Sequence, residues 1–379
     1  MPFSPIPDVL AALARGEMII LVDDEDRENE GDLVMAAQFA DARSIAFMAT
    51  KGCGLICLAM EGGMLDRLGL PLMTRDNRSR LATAFTLSIE AREGVTTGIS
   101  AADRARTILV AIGDDVRPQD IVSPGHVFPL RARDGGVLVR AGHSEASTDL
   151  ARLSGLKPAA VICEIMRPDG EMARLPDLVE FGRVHGLKLA SIADVIAWRE
   201  RRERTIDLVA EGVVPTPAGS FRAYSYRSRI SGEHHLALVC GERLRPDAEV
   251  ADPVLVRVQK EHLLSDVFSV PGALPPLVAL QQLAAAGDGV FLHMRDTNGH
   301  GLPSALVHLG GTRHLSTPDP EAAMDARDYG TGAQILHHLG VRRMRLVTGS
   351  DRHIAALTGH GLEVVERVRP QASTEGVPL

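Results

Sequence analysis

The sequence predicts a mixed α/β fold in two domains, on three observations. Strand-like apolar runs alternate with amphipathic, helix-like stretches along both halves of the chain. Its 379 residues, at ~150 per domain, imply two domains or three. A dense charge run, WRERRERT at 198–205, breaks the texture between the halves and places a boundary at about 204, giving domains 1–204 and 205–379. The chain is 45% hydrophobic but only 3% aromatic, so the cores are expected to consist mainly of Ala, Val, Leu and Ile.

The elements follow in order. Residues 7–16 read as an amphipathic helix, Met18–Val22 as a short buried strand, Ala42–Thr50 as a helix and Leu55–Met60 as a strand. Ala82–Glu90 has strand character, and Ser100–Ala111 is a helix opened by Ser100 with Asp103 in its first turn. Ser147, Thr148 and Asp149 are expected to open a further helix, and Val161–Met166 is a strand. Beyond the boundary, SFRAYSY, HHLALVC and Val254–Val258 are strand-like, Leu277–Ala286 is a helix and Gly289–Met294 a strand.

Composition also excludes function classes. A formal charge of −8 with no long basic run leaves no footprint for nucleic acid, although local arginines would suffice for a phosphorylated metabolite. No apolar stretch reaches the ~18 residues of a membrane-spanning helix. The first residues lack the pattern of a secretory signal, so a cytoplasmic location is expected. Four cysteines, Cys53, Cys57, Cys163 and Cys240, form no CxxC pair, which argues against a disulfide framework or a cysteine zinc site.

Chemistry-bearing residues cluster in the first half. Asp23 to Asp32 places seven carboxylates in ten residues directly after an apolar strand; their repulsion calls for solvent, basic neighbours or a hard cation such as Mg2+. Arg140-Ala141-Gly142-His143-Ser144-Glu145 combines a guanidinium, a hydroxyl and backbone N–H groups near a helix start, which suits either a phosphate or an ordinary capped turn. His126 lies between turn residues in PGHVFP, and Glu164 sits inside the apolar run AAVICEIM, where a carboxylate needs a metal, a base or an opening to solvent. Thr96-Thr97-Gly98-Ile99-Ser100 is a second hydroxyl-rich stretch, an anion site or a plain N-cap. Cys57 and Cys163 read as small buried hydrophobes.

Taken together, DDEDRENEGD, TAFTLSIEA, GVTTGISAADRA, PGHVFPLRA, GGVLVRAGHSEAS and AAVICEIM..DGEMARLPDL resemble, in order across residues 6–200, the 3,4-dihydroxy-2-butanone 4-phosphate synthases of riboflavin biosynthesis. The resemblance implies a mixed α/β sandwich acting as a homodimer, each site completed by the partner chain. It implies conversion of D-ribulose 5-phosphate to L-3,4-dihydroxybutan-2-one 4-phosphate and formate with Mg2+ or Mn2+. By the same resemblance Glu28 and His143 are metal ligands. Arg27, Glu28, Asp32, Thr97, Arg140, Ala141, Gly142, His143, Ser144 and Glu164 contact the sugar phosphate. His126 and Glu164 are the acid/base residues, and Cys57 falls at the catalytic site. Ser144 stands where the family commonly has Thr, and the hydroxyl is kept.

The second half resembles GTP cyclohydrolase II, most clearly in DARDYGTGAQIL at 325–336, GVRRMRLVTG and HGLEVVERV. Asp325 and Arg327 fall on that family's proton acceptor and proposed nucleophile. Its Cys-x10-Cys-x-Cys zinc ligands are replaced by His262, Ala273 and Pro275, and a catalytic zinc needs three protein ligands. Its guanine- and phosphate-reading segment is Asp296-Thr297-Asn298-Gly299-His300 here, and its lysine after Thr-Asn-Asn-Pro is His353. The expectation is a second α/β domain without zinc and without GTP cyclohydrolase activity. Three alternatives stand beside it: a bifunctional enzyme, a nucleotide- or partner-binding regulatory module, and a new metal site of His262, His293 and His300.

Overall fold

The computed structural model describes residues 3–24, 27–77, 79, 83–268, 274–295, 326–348 and 361–370. The chain divides into two compact units, Met1–Trp198 and Arg199–Leu379. The first contains α1 (Ile6–Ala14), β1 (Ile19–Val22), β2 (Gly31–Ala36), α2 (Ala42–Phe47), β3 (Cys57–Glu61), α3 (Gly62–Arg67), β4 (Ile89–Ala91), α4 (Ala101–Ala111), β5 (Ile121–Ala132), α5 (His143–Leu153), β6 (Ala159–Glu164), α6 (Leu175–His185) and β7 (Lys188–Ser191), with α7 (Ile192–Glu200) leading out of it.

Seven strands form one mixed sheet in the order β4-β5-β3-β6-β2-β1-β7. Among the described residues only β1/β7 and β3/β5 pair in parallel. The strands β1 and β2 are buried at every residue, because both faces of the sheet are covered. One face packs Leu33, Leu58, Met60 and Cys163 against Ile45, Leu65, Ile108 and Leu178 of α2, α3, α4 and α6. On the other lie α5 and α1, which also touch each other. This helix–sheet–helix layering belongs to the mixed α/β class that the alternating pattern predicted. Leucine, isoleucine, valine, alanine and methionine make up the core, as the aromatic-poor composition requires.

Two local expectations are corrected. Helix α5 starts at His143, with Gly142 as its N-cap, so Ser147, Thr148 and Asp149 lie inside it. Their polar groups are satisfied there in other ways: the Ser147 and Thr148 hydroxyls donate back to the Ser144 carbonyl at 3.2 and 2.7 Å, and Asp149 accepts the Val137 N–H at 2.8 Å. His126, expected in a loop, lies within β5. Gly125 makes this strand continuous, since a Cβ there would sit 2.1 Å from the carbonyl carbon of Ile89 on the neighbouring strand. Ser100 caps α4 as expected, its Oγ accepting the Asp103 N–H at 3.1 Å.

The second unit contains β8 (Ile206–Thr216), β9 (Gly219–Ser228), β10 (His234–Cys240), β11 (Val254–Lys260), α8 (Leu263–Phe268), α9 (Pro276–Ala286), β12 (Gly289–Met294), α10 (Ala326–His338), β13 (Arg343–Val347) and β14 (Glu363–Val368). Among the described residues its sheet has seven strands in the order β14-β13-β11-β12-β10-β9-β8. The first four of these strands are mutually parallel and the rest antiparallel. Ala333, Ile335 and Leu336 of α10 cover one face and Ala279, Leu280 and Leu283 of α9 the other. Among the described residues no helix is long and apolar enough to cross a membrane.

Candidate active site

The sheet of the first unit collects the chemistry into one row. Cys57 on β3 pairs with Phe128 on β5 and with Ile162 on β6, and Glu164 on β6 pairs with Asp32 on β2. His126 lies two residues before Phe128 and Glu164 two residues after Ile162, so on these registers both stand toward the same end of the sheet, with Asp32 beside Glu164. Leu33 and Cys163 belong to the core on the far face. Side chains alternate along a strand, so Asp32 and Glu164 face α5, the helix that carries His143.

The acidic run is the loop between β1 and β2, and Asp23 is its clamp. Its buried carboxylate accepts the Glu30 N–H at 2.8 Å, the Glu28 N–H at 3.0 Å and the Arg27 guanidinium at 2.8 Å. Arg27 also bridges to both oxygens of Glu28, at 2.8 and 3.2 Å, and Arg174, the N-cap residue of α6, donates to the Glu28 carbonyl at 2.9 Å. Glu28 thus points inward, its Oε2 3.3 Å from His143 Nδ1. The other ring nitrogen, Nε2, is buried without a hydrogen-bond partner, and the nearest carboxylate oxygen, from Asp32, is 3.9 Å away.

Electrostatics within this cluster are strongly coupled. Burial opposes ionisation of Glu28, but the His143 hydrogen bond and Arg27 more than reverse it and hold the carboxyl at about 2. Burial pushes Asp32 up, with Glu164 and Glu28 adding to the rise against the pull of His143. His143 moves up despite its burial, because Asp32, Glu28 and Asp23 surround it. One ligand atom from each of Asp23, Glu28 and His143 lies within 4.8 Å of the others, the one such group among the described residues. Two carboxylates and an imidazole with an orphaned buried ring nitrogen fit a hard divalent cation.

The remaining expected residues fall around this cluster. Arg140 pairs with the buried carboxylate of Glu145 at 2.7 Å, and Glu145 also accepts the Arg133 N–H at 3.0 Å. Gly142 passes so close beneath them that a Cβ would meet the Arg140 guanidinium at 2.3 Å. Ala141 leads into this cap, and Ser144 is buried in the first turn of α5. Thr97 is exposed on the turn before α4, where Asp103 binds its neighbours Thr96 and Gly98. Cys57 is a buried thiol in the sheet, pushed well up by burial and then by Glu164, which keeps it neutral and non-nucleophilic near pH 7.

His126 Nδ1 lies 3.1 Å from Glu90 on β4. At ~4.8 Å per strand, the two-strand separation puts its backbone about 10 Å from that of Glu164. Sequence reasoning had singled out neither Glu90 nor the clamp role of Asp23. A carboxylate in the short strand before GVTTG was the available signal for the first. For the second, the only signal was position, directly after the strand.

In the second unit, Asp266 of α8 organises the residues at the expected zinc position. It accepts the His262 N–H at 2.8 Å and the Gln259 side chain at 2.7 Å, and it lies 3.0 Å from His293 Nε2. Pro275 is the N-cap of α9. Ala273, Asp296, Thr297, Asn298, Gly299, His300, Asp325, His353 and the side chain of Arg327 lie outside the described residues.

Comparison with known proteins bears on both units. Residues 7–198 match the family described as 3,4-dihydroxy-2-butanone 4-phosphate synthase, and residues 207–369 match GTP cyclohydrolase II. The riboflavin biosynthesis protein RibBA of Aquifex aeolicus is 48% identical over 378 residues, covering 97% of this chain and 92% of its own. The crystal structure of RibBX, a two-domain 3,4-dihydroxy-2-butanone 4-phosphate synthase from A. baumannii, has a TM-score of 0.78 at 39% identity and covers 98% of this chain and 100% of that one. A 3,4-dihydroxy-2-butanone 4-phosphate synthase solved with two magnesium ions has a TM-score of 0.52 at 41% identity, covering 53% of this chain and 98% of that one. Likeness that runs through both units at such identity makes this chain a member of the 3,4-dihydroxy-2-butanone 4-phosphate synthase family, a lyase of riboflavin biosynthesis with a GTP cyclohydrolase II domain behind its synthase domain.

Proposed function

We propose that the chain converts D-ribulose 5-phosphate to L-3,4-dihydroxybutan-2-one 4-phosphate and formate, and that its second domain does not open GTP. The observation that carries the first part is the inward-turned Glu28 facing His143, whose Nε2 is buried without a hydrogen-bond partner. Glu28 and His143 would hold Mg2+ or Mn2+, with Asp23 behind them. Such an ion, when bound, polarises sugar oxygens and eases enolisation beside the ketone.

The protein's own residues supply the remainder. Glu164 accepts the Leu55 N–H at 2.8 Å and is half-buried, so it can exchange a proton with a bound sugar. His126, steadied by Glu90, is the second acid/base group. Arg27, Asp32 and Thr97, with the Arg140 to Ser144 segment at the start of α5, contact the sugar phosphate, where helix N–H groups favour an anion. We place the enzyme in the cytoplasm as a homodimer. The separation of His126 from Glu164 within one chain supports a site completed by a second copy.

The inactive second domain is supported by Ala273 and Pro275, neither of which can ligate zinc. The match of residues 207–369 to GTP cyclohydrolase II favours a second reading, a bifunctional enzyme.

Formate release from D-ribulose 5-phosphate, followed with and without EDTA, tests the synthase reading. Turnover that EDTA abolishes and Mg2+ restores is expected. Metal-loaded protein that releases no formate would overturn the reading.

A further inference from the structure

The segment Gly52–Leu55 is built against Glu164 more closely than a connecting turn requires. Helix α2 runs on into a π-helical turn, Met48–Gly52, an uncommon form that concentrates at functional sites. That turn ends at Cys53 with φ of 67°, a left-handed conformation that a side chain disfavours. From there the chain lies along the end of β6. The Gly52 carbonyl accepts the Met166 N–H at 2.9 Å, Cys53 bridges to Ile165, and the Leu55 N–H donates to Glu164 Oε2 at 2.8 Å.

Gly54 is the closest point of approach. A Cβ there would lie 2.5 Å from Glu164 Oε2, 2.6 Å from its carbonyl oxygen and 2.7 Å from its nitrogen. Two of these atoms are backbone, so turning a side chain cannot relieve the contact. A Cβ on Gly52 would also crowd Cys163 Sγ and the Glu164 carbonyl, at 3.1 Å each.

We propose that Gly54 and the Leu55 N–H are positioning residues that fix the Glu164 carboxylate for proton transfer, with left-handed Cys53 aiming the turn. The inference rests on the reading of Glu164 as an acid/base group. The turn places a donor on the carboxylate oxygen of a half-buried side chain at the proposed site. Displacements of ~1 Å at such a group lower rates by up to ~100-fold.

The test is steady-state formate release from D-ribulose 5-phosphate with Mg2+, together with circular dichroism, for the full chain. Gly54→Ala is expected to lower kcat at least ~10-fold with KM changed less than ~3-fold. Leu55→Pro, which removes the N–H, should fall at least ~10-fold below Leu55→Ala, which keeps it. Since Cys53 is exposed, Cys53→Val and Cys53→Gly are expected to fold even if the other variants do not, and the strained Val variant should turn over more slowly than the Gly variant. In a cycle with Glu164→Gln, the Gly54→Ala loss should vanish, because both act through one carboxylate. Equal kcat within each pair, or losses that multiply in the cycle, would overturn the inference. If Glu164→Gln alone leaves turnover normal, the acid/base reading of Glu164 has failed instead.

Discussion

Glu28 and Asp32 are carboxylates of one cluster with opposite fates. Arg27 and His143 keep Glu28 ionised against its burial, whereas Asp32, buried beside Glu164 and Glu28, is driven toward its neutral form. Glu164 was legible in the sequence because a carboxylate in an apolar strand needs a partner, and the Leu55 N–H is that partner. The clamp role of Asp23 was not legible, since seven neighbouring carboxylates look alike until the fold assigns two loop amides and Arg27 to one of them. At this scale, Glu164→Gln or His126→Ala is expected to lower formate turnover at least ~100-fold, the usual effect of removing a positioned acid or base. Near-normal rates in either variant would return that residue to a structural role.

Among the elements, α5 shows how a local signal can mislead. Ser-Thr-Asp is a strong N-cap pattern, yet the same hydroxyls can bond back to a carbonyl three or four residues earlier inside a helix, and here they do. The folded chain starts the helix at His143, with Gly142 as its N-cap, and buries that residue opposite Glu28. In the second unit β10 carries a group with a measurable pH signature. Burial lowers His235 to about 4, with the positive charges of His234, His293 and Arg295 adding, and its Nδ1 accepts the Arg295 N–H at 3.2 Å.

Unfolded, His235 returns to its ordinary 6.5, so between pH 6.5 and about 4 the unfolded state binds the extra proton and stability falls as pH falls. The loss from this residue amounts to up to about 3 kcal/mol. His235→Gln, which keeps an acceptor but cannot titrate, should flatten the dependence. Urea unfolding followed by tyrosine fluorescence reports on this unit, because Tyr224, Tyr226 and Tyr329 are the only tyrosines of the chain. Parallel stability curves for the two proteins between pH 7 and 4 would count against the assignment.

For the whole molecule, each unit has its own sheet and its own cores, and domains so built usually fold alone. Residues 1–204 are expected to fold and to keep synthase activity; a soluble but inactive fragment would show that the second domain supports the site. The second domain is expected to bind no stoichiometric zinc, and without such an ion its water at neutral pH is an ordinary nucleophile. Elemental analysis and an assay of formate and diphosphate from GTP check this. About one zinc per chain with turnover near ~1 per second would refute it. His262→Cys, Ala273→Cys and Pro275→Cys together should restore zinc binding but, if the proposed reading of the second domain holds, little catalysis, because the sequence of segment 296–300 departs from the GTP-reading segment of the cyclohydrolase family.

By itself the sequence determined the two α/β domains, most of the strands and the candidate chemistry of the acidic loop, His143, His126 and Glu164. These are properties of periodicity and residue type, which local sequence carries. The tertiary structure alone decided which carboxylate clamps the loop, where α5 begins, that His126 lies on a strand beside Glu90, and that Gly54 rests on Glu164. The Asp23 clamp closes within seven residues but needs the folded loop, whereas the contacts that assemble the site join residues distant in sequence: Glu28 meets His143 across 115 positions, and Leu55 meets Glu164 across 109. Strand register and close backbone approach make those meetings, and neither is written in a local pattern.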